Sequence, residues 1–393
     1  MSTYDVAVVG LGAAGAATLY QLARRGIRVV GIDRFSPPHV YGSTHGDTRI
    51  TREAIGEGEA YTPLVQRSHA IWRELEAETG EDLLTQCGGL IVEDAGGGAA
   101  GHHRHEFLAS TIACARRYGI AHELLSAADI KHRFPQFGVD GSESAYYEPT
   151  AGFVRPERCV SAQLTVAARL GADIRRDERV LGLERSRSGV HVRTDRGVLD
   201  AERVVLAVGA WVHDFVGADR VQLFSVYRQV LNWFELRPDA IDHGPGAMPV
   251  FIWGLKDGNA FYGFPAIDGT REIKVADEKL DSPTSADAAS LDVDPDEPRA
   301  VYDSLLRTRL PGLSSRCVRA ARCLYTVTPD ANFVIDEHPD LEGVLLVSPC
   351  SGHGFKHSAG IGEAIAQRVT AGSSEVDLSP FRLDRFAGSP AAV

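Results

Sequence analysis

Tyr4-Asp5-Val6-Ala7-Val8-Val9-Gly10-Leu11-Gly12-Ala13-Ala14-Gly15 decides the fold, together with the residues next in the chain: helix formers to Arg25, then Gly26, an apolar run over residues 27–32, and Asp33. The Val-rich run from Tyr4 reads as a buried strand. Residues 13–25 read as a helix that Gly26 ends, and residues 27–32 as a second strand. The order is strand, glycine turn, helix, strand, acid.

In that order each glycine has a task a side chain would spoil. Gly10 allows a tight turn, Gly12 lets backbone approach a pyrophosphate, and Gly15 lets helix and strand pack closely. The pyrophosphate would meet unpaired N–H groups and the positive end of a helix dipole. Asp33, about 20 residues on, is placed for a ribose hydroxyl. The motif predicts a dinucleotide site without separating FAD from NAD.

The chain has 393 residues, enough for about two domains. Hydrophobic content of 44% and charged content of 24% are those of an ordinary globular protein. Apolar runs are strand-sized and broken by Gly or charge, so no membrane span is expected. The first strand begins at Tyr4, which leaves no room for a targeting segment. A net charge of −12 argues against nucleic acid as partner. Six cysteines, at 87, 114, 159, 317, 323 and 350, form neither a metal-ligand spacing nor a disulfide framework, so a reducing cytoplasm is expected. The His102-His103-Arg104-His105 cluster follows a glycine-rich run and reads as a solvated loop rather than a metal site.

Further along, residues 42–52 are polar and too irregular for an element. Leu64, Ser68, Ile71, Trp72, Leu75 and Thr79 share one helix face, ending at Gly80. Helices are also predicted over residues 107–118, 156–170 and 298–310, with a short one capped by Ser126. Residues 88–92 read as a strand, and 180–183, 190–194 and 197–199 as hairpin strands. Residues 203–208 read as a separate buried strand meeting Gly209, where the chain passes close to a cofactor. Aromatic-rich residues 212–280 suggest an antiparallel sheet, and residues 281–296 a loop. Near the end, a strand over 343–348 runs into Ser351-Gly352-His353-Gly354-Phe355-Lys356 and a helix from Ser358, a second place to hold negative charge.

Several short motifs in this order resemble the monomeric sarcosine oxidase and N-methyltryptophan oxidase family of flavoprotein amine oxidases. They are Pro37-Pro38-His39, Gly42-Ser43-Thr44-His45-Gly46-Asp47-Thr48-Arg49, Tyr227-Arg228-Gln229, Tyr262-Gly263-Phe264-Pro265, Cys323-Leu324-Tyr325-Thr326, Asp330 with Phe333-Val334-Ile335-Asp336, and residues 351–356. The resemblance spans nearly the whole chain. It implies an α/β (α+β) fold of the D-amino-acid-oxidase type. A Rossmann-like FAD-binding domain (1–85, 150–215, 318–388) would be joined to an antiparallel-sheet substrate domain (86–149, 216–317).

The resemblance further implies FAD attached through a thioether to Cys323, where a small buried hydrophobe is the plain alternative. Arg34, Ser43, Thr44, Val180, Gly209, Gly354, Phe355 and Lys356 join Gly10, Gly12, Gly15 and Asp33 as expected cofactor contacts. Arg52 and Lys356 would clamp a substrate carboxylate, an arginine fork plus an ammonium; ordinary ion pairs are the alternative. His45 and Arg49 would lie against the flavin, Tyr262 would line the pocket, and Gly352 would offer its carbonyl to the amine. Lys274 sits where the family lysine contacts flavin N5 through water and promotes reaction with O₂, a solvated strand-edge lysine being the alternative. Glu278 departs from the family, which has a histidine there; an acid favours a bulkier or more cationic substrate side chain.

The expected activity is oxidation of an N-methyl or cyclic amino acid to an imine, with O₂ reduced to H₂O₂. An imino-acid dehydrogenase of the pipecolate or proline type is the first alternative, and a non-catalytic flavin-binding module the remote one. The expected partners are the amino-acid substrate and O₂, with no nucleic acid, membrane or metal, and the resemblance suggests a monomer.

Overall fold

Thr3–Val9 runs parallel to Val29–Ile32 on one side and to Gly197–Leu206 on the other. Asp173–Arg175 extends the sheet beyond Val29–Ile32, and Val344–Ser348 beyond Gly197–Leu206, both parallel. Val334–Glu337 closes one edge antiparallel. The computed structural model describes residues 3–94, 107–187 and 189–387; the His102–His105 cluster lies outside them.

Parallel strands are buried on both faces and read as continuous apolar runs. Val6, Ala7, Val8 and Val9 are accordingly all buried. The Ala13–Arg24 helix covers one face of this sheet and is itself buried from Ala14 to Ala23. Pro156–Arg169 and Ser358–Ala371 pack against it, the latter with a very close approach, and Thr62–Thr79 packs in turn on Ser358–Ala371. A Cβ at Gly362 would lie 2.5 Å from the Ala17 carbonyl carbon, and one at Gly360 would lie 2.4 Å from the Leu64 oxygen.

The hairpin region departs from the sequence reading. The predicted strands 197–199 and 203–208 are one element, Gly197–Leu206. Its first half pairs antiparallel with Gly189–Thr194, which pairs with Val180–Ser186; its second half lies parallel to Val344–Ser348. The change of periodicity within one strand records that change of surroundings. The helix expected over 298–310 is Asp296–Val301 continued by a π-turn at Tyr302–Leu306 and one more turn at Arg307–Arg309.

The second sheet runs in the order Pro283–Thr284, Ser225–Leu236, Glu272–Asp277, Ala260–Gly263, Val250–Gly254, Gly89–Glu93, Ser144–Glu148, Glu123–Ser126, with Leu313–Val327 also paired to Ser225–Leu236. Its pairings are antiparallel except that Val250–Gly254 runs parallel to Gly89–Glu93, so the sheet is mixed rather than purely antiparallel. Leu313–Val327 passes through residue 318, where the sequence reading divides two domains. The stretch 42–52, read as irregular, ends in the strand Arg49–Thr51, which joins Gly152–Val154 and Leu84–Gln86 in a small third sheet.

Alanine is the better helix former by about 1 kcal/mol, so propensity alone favours Gly362→Ala. The close helix approach predicts the reverse. The variant should lose about 1–3 kcal/mol of stability through overpacking, read as a lower urea midpoint at unchanged slope; an unchanged or raised midpoint would show that the helices separate freely.

Candidate active site

Thr3–Val9 and Gly197–Leu206 end side by side, with Val9 level with Leu206, so the turn at Gly10 and the Ala207-Val208-Gly209 segment meet at the carboxyl edge of the parallel sheet. This is where open α/β sheets bind ligands. Gly10 has φ +86°, and a Cβ there would lie 2.4 Å from the Ala207 oxygen. A Cβ on Gly15 would lie 1.7 Å from the Gly10 oxygen, so the helix rests directly on the turn. Gly12, the N-cap of Ala13–Arg24, brings no side chain to the helix N-terminus. A cleft starts on this turn and continues to Lys356.

Asp33 is buried at the cleft wall. Its Oδ2 accepts from the Leu11 N–H at 2.7 Å and its Oδ1 from the Phe35 N–H at 2.9 Å. It therefore fixes the glycine turn to the second strand, and a carboxylate has acceptor sites left for a hydroxyl. At the mouth, the Arg34 guanidinium lies 4.9 Å from the Phe35 ring and 5.0 Å from Trp211, and pairs with Asp287 at 3.2 Å.

Beyond the turn, Ser43, Thr44 and Arg49 line the cleft, and residues 45–48 lie behind them toward the second sheet. Gly46 and Asp47 donate their N–H groups to Glu157 Oε1 at 2.5 and 3.2 Å. Lys274 Nζ donates to the Gly46 and Thr48 oxygens at 2.7 and 2.5 Å, with the Phe264 ring 4.1 Å below it. Burial, with Arg49 close by, pushes the Lys274 ammonium well below its ordinary range. Arg49 Nη2 reaches the Ser43 oxygen at 2.7 Å and Cys323 Sγ at 3.5 Å. His45 is buried with Nε2 unpartnered, and burial followed by the Arg49 and Lys274 charges pushes it down to about 3, so its ring is neutral.

At the far end stand Arg52 and Lys356, both buried, and between them a residue the sequence reading passed over. Glu57 Oε2 accepts from Arg52 Nη2 at 2.6 Å, and its Oε1 accepts from Lys356 Nζ at 3.3 Å. Arg52 also donates to the Ala54 oxygen while its Nε–H stays buried and unpartnered. Lys356 Nζ donates to the His353 oxygen at 2.8 Å, and burial pushes it down to about 8 despite Glu57. Glu148 holds this loop in place, accepting from the Glu53 and Ala54 N–H groups at 2.6 and 3.1 Å. Opposite, the Tyr262 and Tyr325 hydroxyls lie 3.2 Å apart, and burial raises both, so they are neutral.

The structure brings Gly10, Gly12, Asp33, Arg34, Ser43, Thr44, Arg49, Arg52, Val180, Gly209, Tyr262, Glu278, Gly352, Gly354, Phe355 and Lys356 into one cleft. Gly15, His45, Lys274 and Cys323 stand behind its wall: Gly15 under the turn, the others one contact away through Ser43, Arg49 and the 46–48 turn. Sequence reasoning missed Glu57, Glu157 and Tyr325. A signal existed for Tyr325, since Cys323 and Tyr325 alternate onto one strand face. The side-chain-free turn, the open helix N-terminus and the orphaned His45 nitrogen together fit a dinucleotide whose far end reaches this wall, as FAD would. No helix among the described residues is long and apolar enough to cross a membrane.

Known proteins resemble this chain across nearly their whole length. The chain is 36% identical over 391 residues to a monomeric sarcosine oxidase of Streptomyces avermitilis, covering 99% of both chains. It is 33% identical over 385 residues to an N-methyl-L-tryptophan oxidase of Yersinia pestis, covering 98% of this chain and 99% of that one. Among solved structures, NikD, described as an unusual amino acid oxidase essential for nikkomycin biosynthesis, superimposes with TM-score 0.83 at 25% identity, covering 97% of this chain and 98% of that one. The L-proline dehydrogenase of P. horikoshii shares the fold, with TM-score 0.81 at 20% identity over 98% of each chain. Residues 5–368 match the FAD dependent oxidoreductase family, and the chain belongs to it.

Proposed function

We propose that the protein oxidises a secondary amino acid, N-methyl or cyclic, to an imine, and that O₂ is the electron acceptor. The observation that carries this reading is the convergence of Arg52 and Lys356 on the two oxygens of one carboxylate, that of Glu57, at the end of the cleft away from the glycine turn. The pair has carboxylate-binding geometry, and the unpartnered Arg52 Nε–H leaves a donor for a second carboxylate, the substrate's. The names of the full-length relatives point to the same substrate class.

The chemistry FAD supplies when bound is acceptance of a hydride equivalent from the carbon next to nitrogen and delivery of the electron pair to O₂, giving H₂O₂. The chain supplies position and charge. Arg52 and Lys356 hold the carboxylate, which orients the carbon–nitrogen bond, and the Gly352 carbonyl faces the amine. The net positive charge that the Arg52–Glu57–Lys356 group keeps disfavours an ammonium beside it, so the amine binds uncharged and no general base is required. Tyr262 and Tyr325, both neutral, line the wall and exclude water. Cys323 is the point of covalent attachment, its sulfur held against Arg49 and the Ser43 carbonyl. Lys274, fixed to the 46–48 turn, is the positive charge that favours electron transfer to O₂. In this division residues 1–85, 150–215 and 318–388 hold the cofactor, while 86–149 and 216–317 cover the substrate.

Acid precipitation tests the cofactor assignment. Yellow colour should stay with the pellet in the unchanged protein and move to the supernatant in Cys323→Ser; a pellet that is colourless in both would refute the thioether. For the acceptor, Lys274→Met should slow reoxidation by O₂ by about 10²–10³-fold, the scale of losing one preorganised charge. Anaerobic reduction by substrate, followed in rapid mixing, should change far less. Equal loss in both steps would remove Lys274 from the oxygen reaction, and absence of peroxide from the unchanged enzyme would favour a dehydrogenase. The Lys356 ammonium is the anion-binding form and is lost as pH rises through about 8. Affinity for acetate, read from the flavin absorbance, should therefore be greatest below pH 8 and fall above it by up to about tenfold per unit. Lys356→Met should bind more weakly and lose that dependence.

A further inference from the structure

The second sheet carries an apolar hollow directly behind the substrate end of the cleft. Tyr262, Ile252, Ile91 and Tyr146 stand opposite one another on four neighbouring strands, so they form one row on one face of the sheet. The row beside it is Val250, Gly89 and Glu148. Gly89 brings no side chain to that row, and a Cβ there would lie 2.6 Å from the Ala151 Cβ. Gly89, Ala151 and Val250 border a small cavity of about 10 Å³, room for roughly one methyl-sized group. The surface it offers is apolar, and an apolar cavity of this kind stays dry.

Ile50, Arg52 and Ile252 line both this cavity and the cleft, so they are the boundary the two spaces share. Ile252 is buried in the cluster that holds Ile91 and Tyr146, and Ile50 packs against the same cluster. Both isoleucines are branched at Cβ and stiff at χ1, so this wall does not fold aside as an unbranched side chain would. Arg52 is the residue proposed to hold the substrate carboxylate, and the substrate Cα is one bond from that group. A side chain leaving Cα therefore starts within a few bonds of the wall. Once it reaches the two isoleucines, a further methylene overpacks the site instead of gaining contact.

We infer that Ile50 and Ile252 are specificity-determining residues that set the longest apolar side chain the site accepts, and that the cavity behind them is an unused extension of the side-chain subsite. The inference rests on the proposed amino-acid oxidase reading. No bond is made or broken at either residue; the carbon–nitrogen oxidation is unchanged.

The test measures kcat/KM, from peroxide release by the holoenzyme, along N-methyl-alanine, N-methyl-norvaline, N-methyl-norleucine and the next higher homologue, all as racemates. In the unchanged enzyme the constant should drop at one step of the series by about tenfold or more, the scale of one methylene that does not fit. Ile252→Ala opens the boundary and should move that drop at least one methylene outward. The first excluded substrate should gain about tenfold, while N-methyl-alanine, which stops short of the wall, should change by less than about threefold. Ile252→Val is a milder cut that keeps the test decisive if the alanine variant folds poorly; it should shift the constants the same way by a smaller factor. Adding Val250→Ile to Ile252→Ala returns one methyl to the cavity from its far side and should cancel the gain. No drop along the series in the unchanged enzyme would overturn the inference, and so would a drop that stays at the same length in both Ile252 variants. A gain that survives Val250→Ile would overturn it too, because the added room would then lie elsewhere. Failure of the oxidase reading looks different: no N-methyl amino acid of any length would release peroxide or bleach the flavin, and the inference would fall with it.

Discussion

A three-residue turn held between two opposite charges fixes most of the site. Glu157, in the first turn of the Pro156–Arg169 helix, accepts the N–H groups of Gly46 and Asp47, while Lys274 of the second sheet donates to the carbonyls of Gly46 and Thr48. Each charge-assisted bond contributes about 1.5–3 kcal/mol, enough together to hold Asp47 at φ +69°, a conformation that costs a non-glycine residue about 1–2 kcal/mol. The turn lies where elements of the parallel sheet meet the mixed sheet, so one contact sets their relation. Arg49 leaves the turn toward Ser43 and Cys323, and the short strand Arg49–Thr51 then delivers Arg52 to the far end of the cleft. The positions of three expected site residues thus follow from a contact between one backbone turn and two side chains, Glu157 and the buried Lys274.

Buried titratable groups around that turn are arranged so that charge resides only where it is matched. His45 is neutral because burial disfavours the imidazolium, and the nearby Arg49 and Lys274 add to that. Tyr262 and Tyr325 are neutral because burial disfavours phenolate. Arg49 keeps its charge against the pull of burial: its fork reaches backbone oxygens and the Cys323 sulfur, and the Cys323, Tyr262 and Tyr325 groups favour its charged form, with Glu157 adding less. A wall with fixed cations and neutral hydroxyls suits a ring that gains negative charge on reduction.

How much of this was legible in the chain depends on whether the signal was local. The strand, glycine turn, helix, strand and acid are consecutive, and each obeys a short-range rule, so Gly10, Gly12, Gly15 and Asp33 could be read directly. Arg52, Lys356 and Cys323 came through motif resemblance, because nothing local distinguishes a clamp cation from a surface one. Glu57 and Glu157 stayed hidden for the same reason: an acid in a turn and an acid in a first helical turn both have ordinary local explanations. Leu313–Val327 escaped because its first half is partly exposed and carries Arg316 and Arg319, which breaks the alternation expected of a strand. It becomes a strand because Ser225–Leu236 lies beside it, and that pairing spans about a hundred residues of chain.

In the proposed reading Arg52 and Lys356 hold a substrate carboxylate, and Glu57 raises the question why that pair already contains one. Arg52 and Lys356 have side-chain exposures of 4% and 6%. Two such cations with no anion between them would oppose folding, since removing one partner from a buried pair costs about 3–5 kcal/mol. The burial that lowers Lys356 to about 8 shows the same pressure surviving even with Glu57 present. With Glu57 in place the group carries one net positive charge instead of two. It attracts a substrate carboxylate less strongly than two bare cations would, yet it is fully assembled before the substrate arrives. The Arg52 Nε–H, buried and unpartnered, then gives a second carboxylate its own donor. Preorganisation is thus obtained by matching most of the charge inside the chain and leaving a single unit, and a single unused N–H, for the ligand.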